Sequence, residues 1–240
     1  MKRYCIIGNP VKHSKSPQIY DYIFNQLNLK AKYDSHCIIT NSLFENFIYN
    51  TKNYMGYNIT APYKGLAYSF IDEVHSSARL VNAVNCIKII NNKLIGYNTD
   101  IIGFEYSFLP ILKKRRNILV LGNGGASKAI QFVLKRHKLN YQVISRKLKL
   151  NYSKITKRLI KENLVIINTT CLGMYPNTTT LPELPYEELS PKHLLFDLVY
   201  NPTETLFLKY GKKQKTEIKN GYEMLKIQAE ESWKIWNPHI

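Results

Sequence analysis

The stretch NILVLGNGGASKAIQFVLKRH, residues 117–137, decides the fold. It opens as an apolar strand, turns on Gly122, Gly124 and Gly125, and passes through Ala126 into an amphipathic helix. Glycines permit the tight turn and let a diphosphate approach the backbone N–H groups at the helix N-terminus. A bare GxGG also fits an ordinary strand-to-helix connection. With a strand before it and a helix after it, the pattern favours a dinucleotide fold.

Downstream, Tyr141 to Ser145 reads as a second strand running into Arg146 and Lys147, with Lys149 beyond. An NAD site usually has an acidic residue here for the ribose 2′-hydroxyl, so a basic one favours a 2′-phosphate and hence NADP(H). In so lysine-rich a chain, scattered basic residues are the alternative. Leu164 to Asn168 reads as a third strand, after which Thr169, Thr170 and Gly173 are candidates for the nicotinamide end of the site. Residues 178–189, TTTLPELPYEEL, read as a loop, and Leu194 to Tyr200 as a strand closed by Asn201-Pro202, with Thr203 starting a helix. Lys215 to Ile218 gives a short strand. Residues 221–236, GYEMLKIQAEESWKIW, form an amphipathic helix with Met224, Ile227, Trp233 and Trp236 among its apolar positions. Gln228, polar within that helix, reads by itself as solvated.

Upstream, Arg3 to Ile7 is a short apolar run that stops at a Gly/Pro turn, a buried strand. In the loop KHSKSP, Ser16 fits a helix N-cap with Pro17 at the first helical position. The alternative is that Ser14 and Ser16 both face a ligand and hydrogen-bond a carboxylate or hydroxyl. Lys32 to Ile39 and Tyr54 to Ile59 read as strands, with a helix between them around Leu43 to Tyr49. Pro62 holds Ala61 extended, and a helix starts at or just after it. Asn58, Thr60 and Lys64 then gather at the strand's C-terminal mouth, where open α/β sheets bind ligands. A solvated lysine on an ordinary turn is the alternative. Leu66 to Arg79 reads as helix with a break near Asp72. Residues 83–100 give two apolar runs joined by Asn91-Asn92, a hairpin because asparagine tolerates positive φ. Asn85 stands early in the first run and Asp100 at the end of the second. Taken alone, Asn85 satisfies strand-end backbone and Asp100 caps the helix through Phe104, Phe108 and Leu112.

A chain of 240 residues accommodates two modest domains. The formal charge of +17 comes from lysines scattered over nearly every segment, so it reads as a compositional drift rather than a nucleic-acid patch. KKRR at 113–116, the densest cluster, reads as a solvated linker. Cys5, Cys37, Cys86 and Cys171 form no CxxC pair, which argues against a zinc site or a disulfide framework. Cys5, Cys37 and Cys171 lie in or beside apolar runs, where a free cysteine behaves as a small buried hydrophobe. The N-terminal apolar run is too short for a signal peptide, and none is long enough to span a membrane. A soluble, cytoplasmic protein with reduced thiols is expected.

Taken in order, HSKSP (13–17), GYNITAPYK (56–64), AVNC (83–86), YNTD (97–100), GNGGAS (122–127), SRK (145–147), NTTCLGM (168–174), DLVYNPTET (197–205) and GYEMLKIQA (221–229) together resemble the shikimate dehydrogenase family over nearly the whole chain. The resemblance implies an α/β fold of two domains. An N-terminal substrate domain, residues 1–100 rejoined by the C-terminal helix at 221–240, accompanies a Rossmann-like NADP-binding domain at 101–220, with substrate in the cleft between them. It implies reduction of 3-dehydroshikimate with NADPH, Lys64 and Asp100 forming the catalytic pair. Ser14 and Ser16 would hold the substrate carboxylate, and Thr60, Asn85 and Gln228 its hydroxyls. Gly122, Gly124, Gly125 and Ala126 would take the diphosphate, Ser145 and Arg146 the 2′-phosphate end and Thr169 the nicotinamide end. Tyr200 and Gly221 would lie near substrate and nicotinamide. The implied partners are the small-molecule substrate and no nucleic acid, membrane or metal, in a monomer or homodimer. The chain departs from the family pattern at Cys86, Ile101, Asn123, Ser145 and Lys147. Rival readings are an NAD-using quinate/shikimate relative, a non-catalytic nucleotide sensor and a basic nucleic-acid binder.

Overall fold

Short apolar runs punctuated by Gly, Pro and Asn build two sheets. The computed structural model describes residues 1–50, 53–146 and 148–238. It divides into two compact units, Met1–Gly103 with Leu225–Ile240, and Phe104–Met224. In chain order the elements are β1 (Lys2–Gly8), α1 (Ser16–Gln26), β2 (Ala31–Cys37), α2 (Asn41–Asn50), β3 (Gly56–Ile59), α3 (Lys64–Ala67), β4 (Glu73–Val74), α4 (Ser76–Val81), β5 (Cys86–Ile90), β6 (Lys93–Tyr97), α5 (Asp100–Leu112), β7 (Asn117–Leu121), α6 (Gly125–Arg136), β8 (Asn140–Ile144), α7 (Lys157–Glu162), β9 (Val165–Asn168), β10 (Leu194–Asp197), α8 (Leu206–Lys213), β11 (Glu217–Lys219) and α9 (Tyr222–Trp236).

The first unit holds a six-stranded sheet in the order β2-β1-β3-β5-β6-β4. β1 runs parallel to β2 and β3, whereas β5 is antiparallel to both β3 and β6. Successive β1 side chains point to opposite faces, so this one strand feeds two cores. Tyr4 and Ile6 pack with Tyr20, Phe24, Trp233 and Trp236, while Cys5 and Ile7 pack with Phe44, Ile48, Ile59 and Tyr63. Tyr4 stacks on Trp236 at 4.8 Å and meets Trp233 edge-on at 5.6 Å, contacts worth about 0.5–1.5 kcal/mol each beyond their buried area. The Trp236 indole donates to the Ile87 carbonyl at 2.9 Å, and a Cβ at Gly56 would strike that indole. Only glycine fits there, and α9 is fixed across β3 and β5.

The second unit is an all-parallel five-stranded sheet ordered β11-β10-β9-β7-β8. Two of its interior strands, β9 and β10, are buried from end to end, as a parallel sheet covered on both faces requires. Phe104 and Phe108 of α5 stack at 4.6 Å and meet Phe196 edge-on, while Leu195 packs with Phe207 and Leu208 of α8. α6 turns Ala129, Ile130, Val133 and Leu134 inward.

Several elements differ from the sequence reading. Leu66 to Arg79 is not one broken helix, because Asp72 pairs with β6. Its carboxylate accepts the Leu94 N–H at 2.7 Å and its own N–H goes to the Leu94 carbonyl. The segment therefore becomes α3, a 3-10 turn at Tyr68–Phe70, β4 and α4. α8 starts after Thr205, whose hydroxyl caps the Leu208 N–H, rather than at Thr203. α7, which no apolar period announced, is capped by Thr156. Lys15, not Ser16, is the N-cap of α1, and no side chain caps it. Arg115 is no solvated linker residue. Its side chain is 10 % exposed and reaches Glu217, Lys192 O and Ile111 O. Cys37, the last residue of edge strand β2, is exposed, as is Cys171, while Cys5 and Cys86 are buried. The hairpin at Asn91-Asn92 has positive φ at both residues.

Candidate active site

Lys64 opens α3 just beyond the C-terminal end of β3, and Asp100 opens α5 after β6. Their side chains meet at 2.6 Å and are only 14 % and 6 % exposed, so Lys64 is not a solvated surface lysine. Asp100 is no helix cap. Its Oδ2 accepts from Lys64, and its Oδ1 accepts from Asn85 Nδ2 at 2.9 Å. Asn85, buried at the start of β5, accepts the Thr99 N–H through Oδ1 at 2.7 Å and donates its second amide hydrogen to Thr99 Oγ1 at 3.0 Å. The lysine thus stands on a carboxylate that is itself fixed from behind by a carboxamide.

Gln228 projects from α9 and is 8 % exposed, not solvated. Its Oε1 lies 3.4 Å from Thr99 Oγ1, and its Nε2 donates to Leu225 O. Ser14 and Ser16 are in mutual contact at 3.2 Å, and Ser16 is buried, so its hydroxyl does not cap α1. Thr60 sits at the end of β3 with its N–H on Ile7 O, and its methyl would collide with any Cβ at Gly8. Asn58, placed by the sequence at the strand mouth, instead points into the interior. Its Oδ1 accepts from Tyr20 and Tyr33, and its Nδ2 reaches Ser232 and the Asn85 carbonyl. The sequence reading missed Thr99 as a site residue, and Ser232 altogether, because isolated hydroxyls on periodic elements carry no local signal.

In the second unit, Gly122 (φ +104) ends β7 and donates its N–H to Ile144 O at 2.7 Å. A Cβ there would come within 2.6 Å of Thr169 Oγ1, and an L residue rarely adopts this φ. Gly124 is the N-cap of α6 with no side-chain cap bond, an added Cβ at Gly124 would meet nothing, and the first helical turn carries no acidic residue. This open helix N-terminus suits a diphosphate. Ala126 lies in that first turn. Ser145 and exposed Arg146 follow β8 directly, where a cation can meet a 2′-phosphate, while Lys147 lies outside the described residues. These residues fit a phosphorylated dinucleotide. Thr169 uses its hydroxyl on Leu121 O at 2.7 Å and so holds the glycine turn.

Tyr200 is half-buried after β10. Gly221 approaches the Leu198 carbonyl too closely to admit any side chain. At the end of β10, buried Asp197 accepts from Thr205 at 2.6 Å, Asn168 at 2.9 Å and the Val199 N–H at 3.0 Å. Burial pushes its carboxyl up to about 7, against the pull of these donors. Among the described residues no His, Cys, Asp and Glu group is placed to hold a metal, and no helix is long and apolar enough to cross a membrane.

Residues 6–87 match the family model described as the shikimate dehydrogenase substrate binding domain. A protein of Methanococcus maripaludis named shikimate dehydrogenase (NADP(+)) is 35% identical over 252 residues, covering 96% of this chain and 90% of the relative. The protein of the same name from Staphylococcus haemolyticus is 34% identical, covering 98% and 92%. Among solved structures, shikimate dehydrogenase 1 from Peptoclostridium difficile superposes with a TM-score of 0.88 at 30% identity, covering 99% of this chain and 92% of the other. The Thermus thermophilus shikimate 5-dehydrogenase in complex with NADP(H) and shikimate gives 0.86 at 27% identity, covering 100% and 95%.

Proposed function

This chain belongs to the shikimate dehydrogenase family, and we propose that it catalyses the reversible NADP-dependent reduction of 3-dehydroshikimate to shikimate, a step of aromatic amino acid biosynthesis. The observation that carries the reading is the Lys64–Asp100 contact at 2.6 Å, backed by Asn85. NADPH, when bound, supplies the hydride for the substrate carbonyl. Lys64 stabilises the negative charge that develops on the carbonyl oxygen and delivers the proton to the alkoxide. Asp100 orients Lys64 and balances its charge. Ser14 and Ser16 hold the substrate carboxylate, and Thr60, Asn85 and Gln228 its hydroxyls, with Tyr200 beside the substrate. Gly122, Gly124, Gly125 and Ala126 bind the diphosphate, Ser145 and Arg146 the 2′-phosphate, and Thr169 and Gly221 frame the nicotinamide end.

In this reading residues 1–100 and 221–240 carry the substrate and the proton chemistry, and residues 101–220 carry the cofactor. The enzyme acts in the cytoplasm as a monomer or homodimer on a small molecule, with no nucleic acid or membrane partner. Mixing the protein with shikimate and NADP, and separately with NAD or with quinate, tests this through NADPH or NADH absorbance. A rise with shikimate and NADP alone is expected. A comparable rise with NAD or quinate would move the protein to the broader-specificity relatives, and no rise with any pair would remove the reading.

A further inference from the structure

The buried hydroxyl of Ser232 lies behind Asn85 and Gln228, and the donors around it can be counted one by one. The Asn85 carbonyl can only accept, so the Asn58 nitrogen must face it, at 3.3 Å. The other hydrogen of that amide goes to Ser232 Oγ at 3.0 Å. Ser232 passes its own hydrogen to the Gln228 carbonyl at 2.9 Å, which leaves its oxygen one further lone pair. From the opposite side, Asn85 Oδ1 takes the Thr99 N–H, so Asn85 Nδ2 donates to Thr99 Oγ1. The Thr99 hydroxyl therefore accepts from Asn85 and keeps one hydrogen to give. Three acceptors lie in reach: Ser232 Oγ at 3.2 Å, Asn85 Oδ1 at 3.3 Å and Gln228 Oε1 at 3.4 Å.

We infer that Ser232 is a positioning residue for substrate recognition: it takes the Thr99 hydrogen and so keeps Asn85 Oδ1 and Gln228 Oε1 open to accept from substrate hydroxyls. This rests on the proposed reading of the site. Ser232 is nearest to Thr99 and is 0 % exposed, and of its other neighbours the Tyr20 hydroxyl has Asn58 Oδ1 and Ala229 O to donate to and the Cys86 thiol is a weak donor, so the Thr99 hydrogen is the strongest one left for its oxygen. Asn85 and Gln228 are the two groups that a substrate hydroxyl can satisfy. Without the Ser232 oxygen, the Thr99 hydrogen turns to one of them, and a substrate acceptor is lost. The chain of bonds does not conduct protons, because a carboxamide such as Asn85 does not pass a proton on. It sets which atoms donate and which accept.

Steady-state kinetics with shikimate and NADP test this. Ser232→Ala should raise KM for shikimate by about three- to tenfold, the effect of one hydrogen bond, while kcat and KM for NADP stay within about twofold. Thr99→Val has no hydroxyl hydrogen to redirect, so adding Ser232→Ala to it should leave KM where Thr99→Val sets it. Asn237→Ala, which removes buried bonds to Tyr4 just past the C-terminus of α9, should lower the melting temperature without moving KM. If Ser232→Ala does not fold, Ser232→Cys keeps the volume with a weak acceptor and is judged by the same criteria. An unchanged KM, or effects of Ser232→Ala and Thr99→Val that add, overturns the inference while the wild type still turns over shikimate. A wild type that forms no NADPH from shikimate overturns the proposed function, and the inference with it.

Discussion

In the first unit a lysine and an aspartate meet at 2.6 Å among the amides and hydroxyls of Asn85, Thr99 and Gln228. In the second unit the buried acid is Asp197, whose oxygens are taken by Thr205, Asn168 and the Val199 N–H, while the proposed cofactor surface is the backbone of a glycine turn. In the proposed function one centre works through side chains. The other uses side chains to hold loops so that main chain can bind. Replacing a polar residue in the first centre should therefore cost turnover or substrate affinity, and in the second it should cost cofactor affinity or stability.

The largest effect is expected at Asp100. Asp100→Ala leaves the Lys64 cation buried without its counter-charge, which should destabilise the protein by about 3–5 kcal/mol and abolish turnover. Denaturant unfolding beside the kinetic assay measures both, and a variant as stable and active as wild type would erase the contrast between the units. Next comes Arg146→Ala, which should raise KM for NADP about tenfold to a hundredfold and KM for NAD far less. Equal changes would mean that the 2′-phosphate is read elsewhere.

The last contrast, which leaves turnover untouched, is a pH dependence of stability at Asp197. Its carboxyl titrates near 3.8 in the unfolded chain, and burial pushes the folded value up to about 7. Between these values the folded state holds the proton more tightly than the unfolded one, so stability falls as pH rises through that window. Asp197→Asn has no such proton to lose, and thermal melts across the same range should show a flatter profile than wild type. Parallel profiles would mean that the three donors hold the carboxylate ionised in the fold.

How legible each part was follows from how local its cause is. The strand, glycine turn and helix at 117–137 are written within one segment, since turn chemistry and helix period are short-range. The hairpin at Asn91-Asn92 is equally local. The Lys64–Asp100 pair joins residues 36 apart and exists only because β3, β5 and β6 lie side by side, so motif resemblance, not pattern, suggested it. Gln228 and Ser232 read as solvated or went unnoticed because a helical period does not show which polar residue is buried against distant partners. The strand after Asp72 was hidden for the same reason. A helix break is legible there, but the bonds of Asp72 to Leu94, 22 residues away, set the short strand β4 between two helical pieces, and Arg115 was drawn from an apparent linker into contact with Glu217.

The central claim is that Lys64 does the proton chemistry without being the main source of substrate affinity. The most direct measurement is turnover of Lys64→Ala with shikimate and NADP beside calorimetric titration of the same variant with shikimate. Turnover should fall about a hundredfold to ten-thousandfold, the usual contribution of a positioned acid or base, with the dissociation constant nearly unchanged. Turnover equal to that of the wild type would contradict the account.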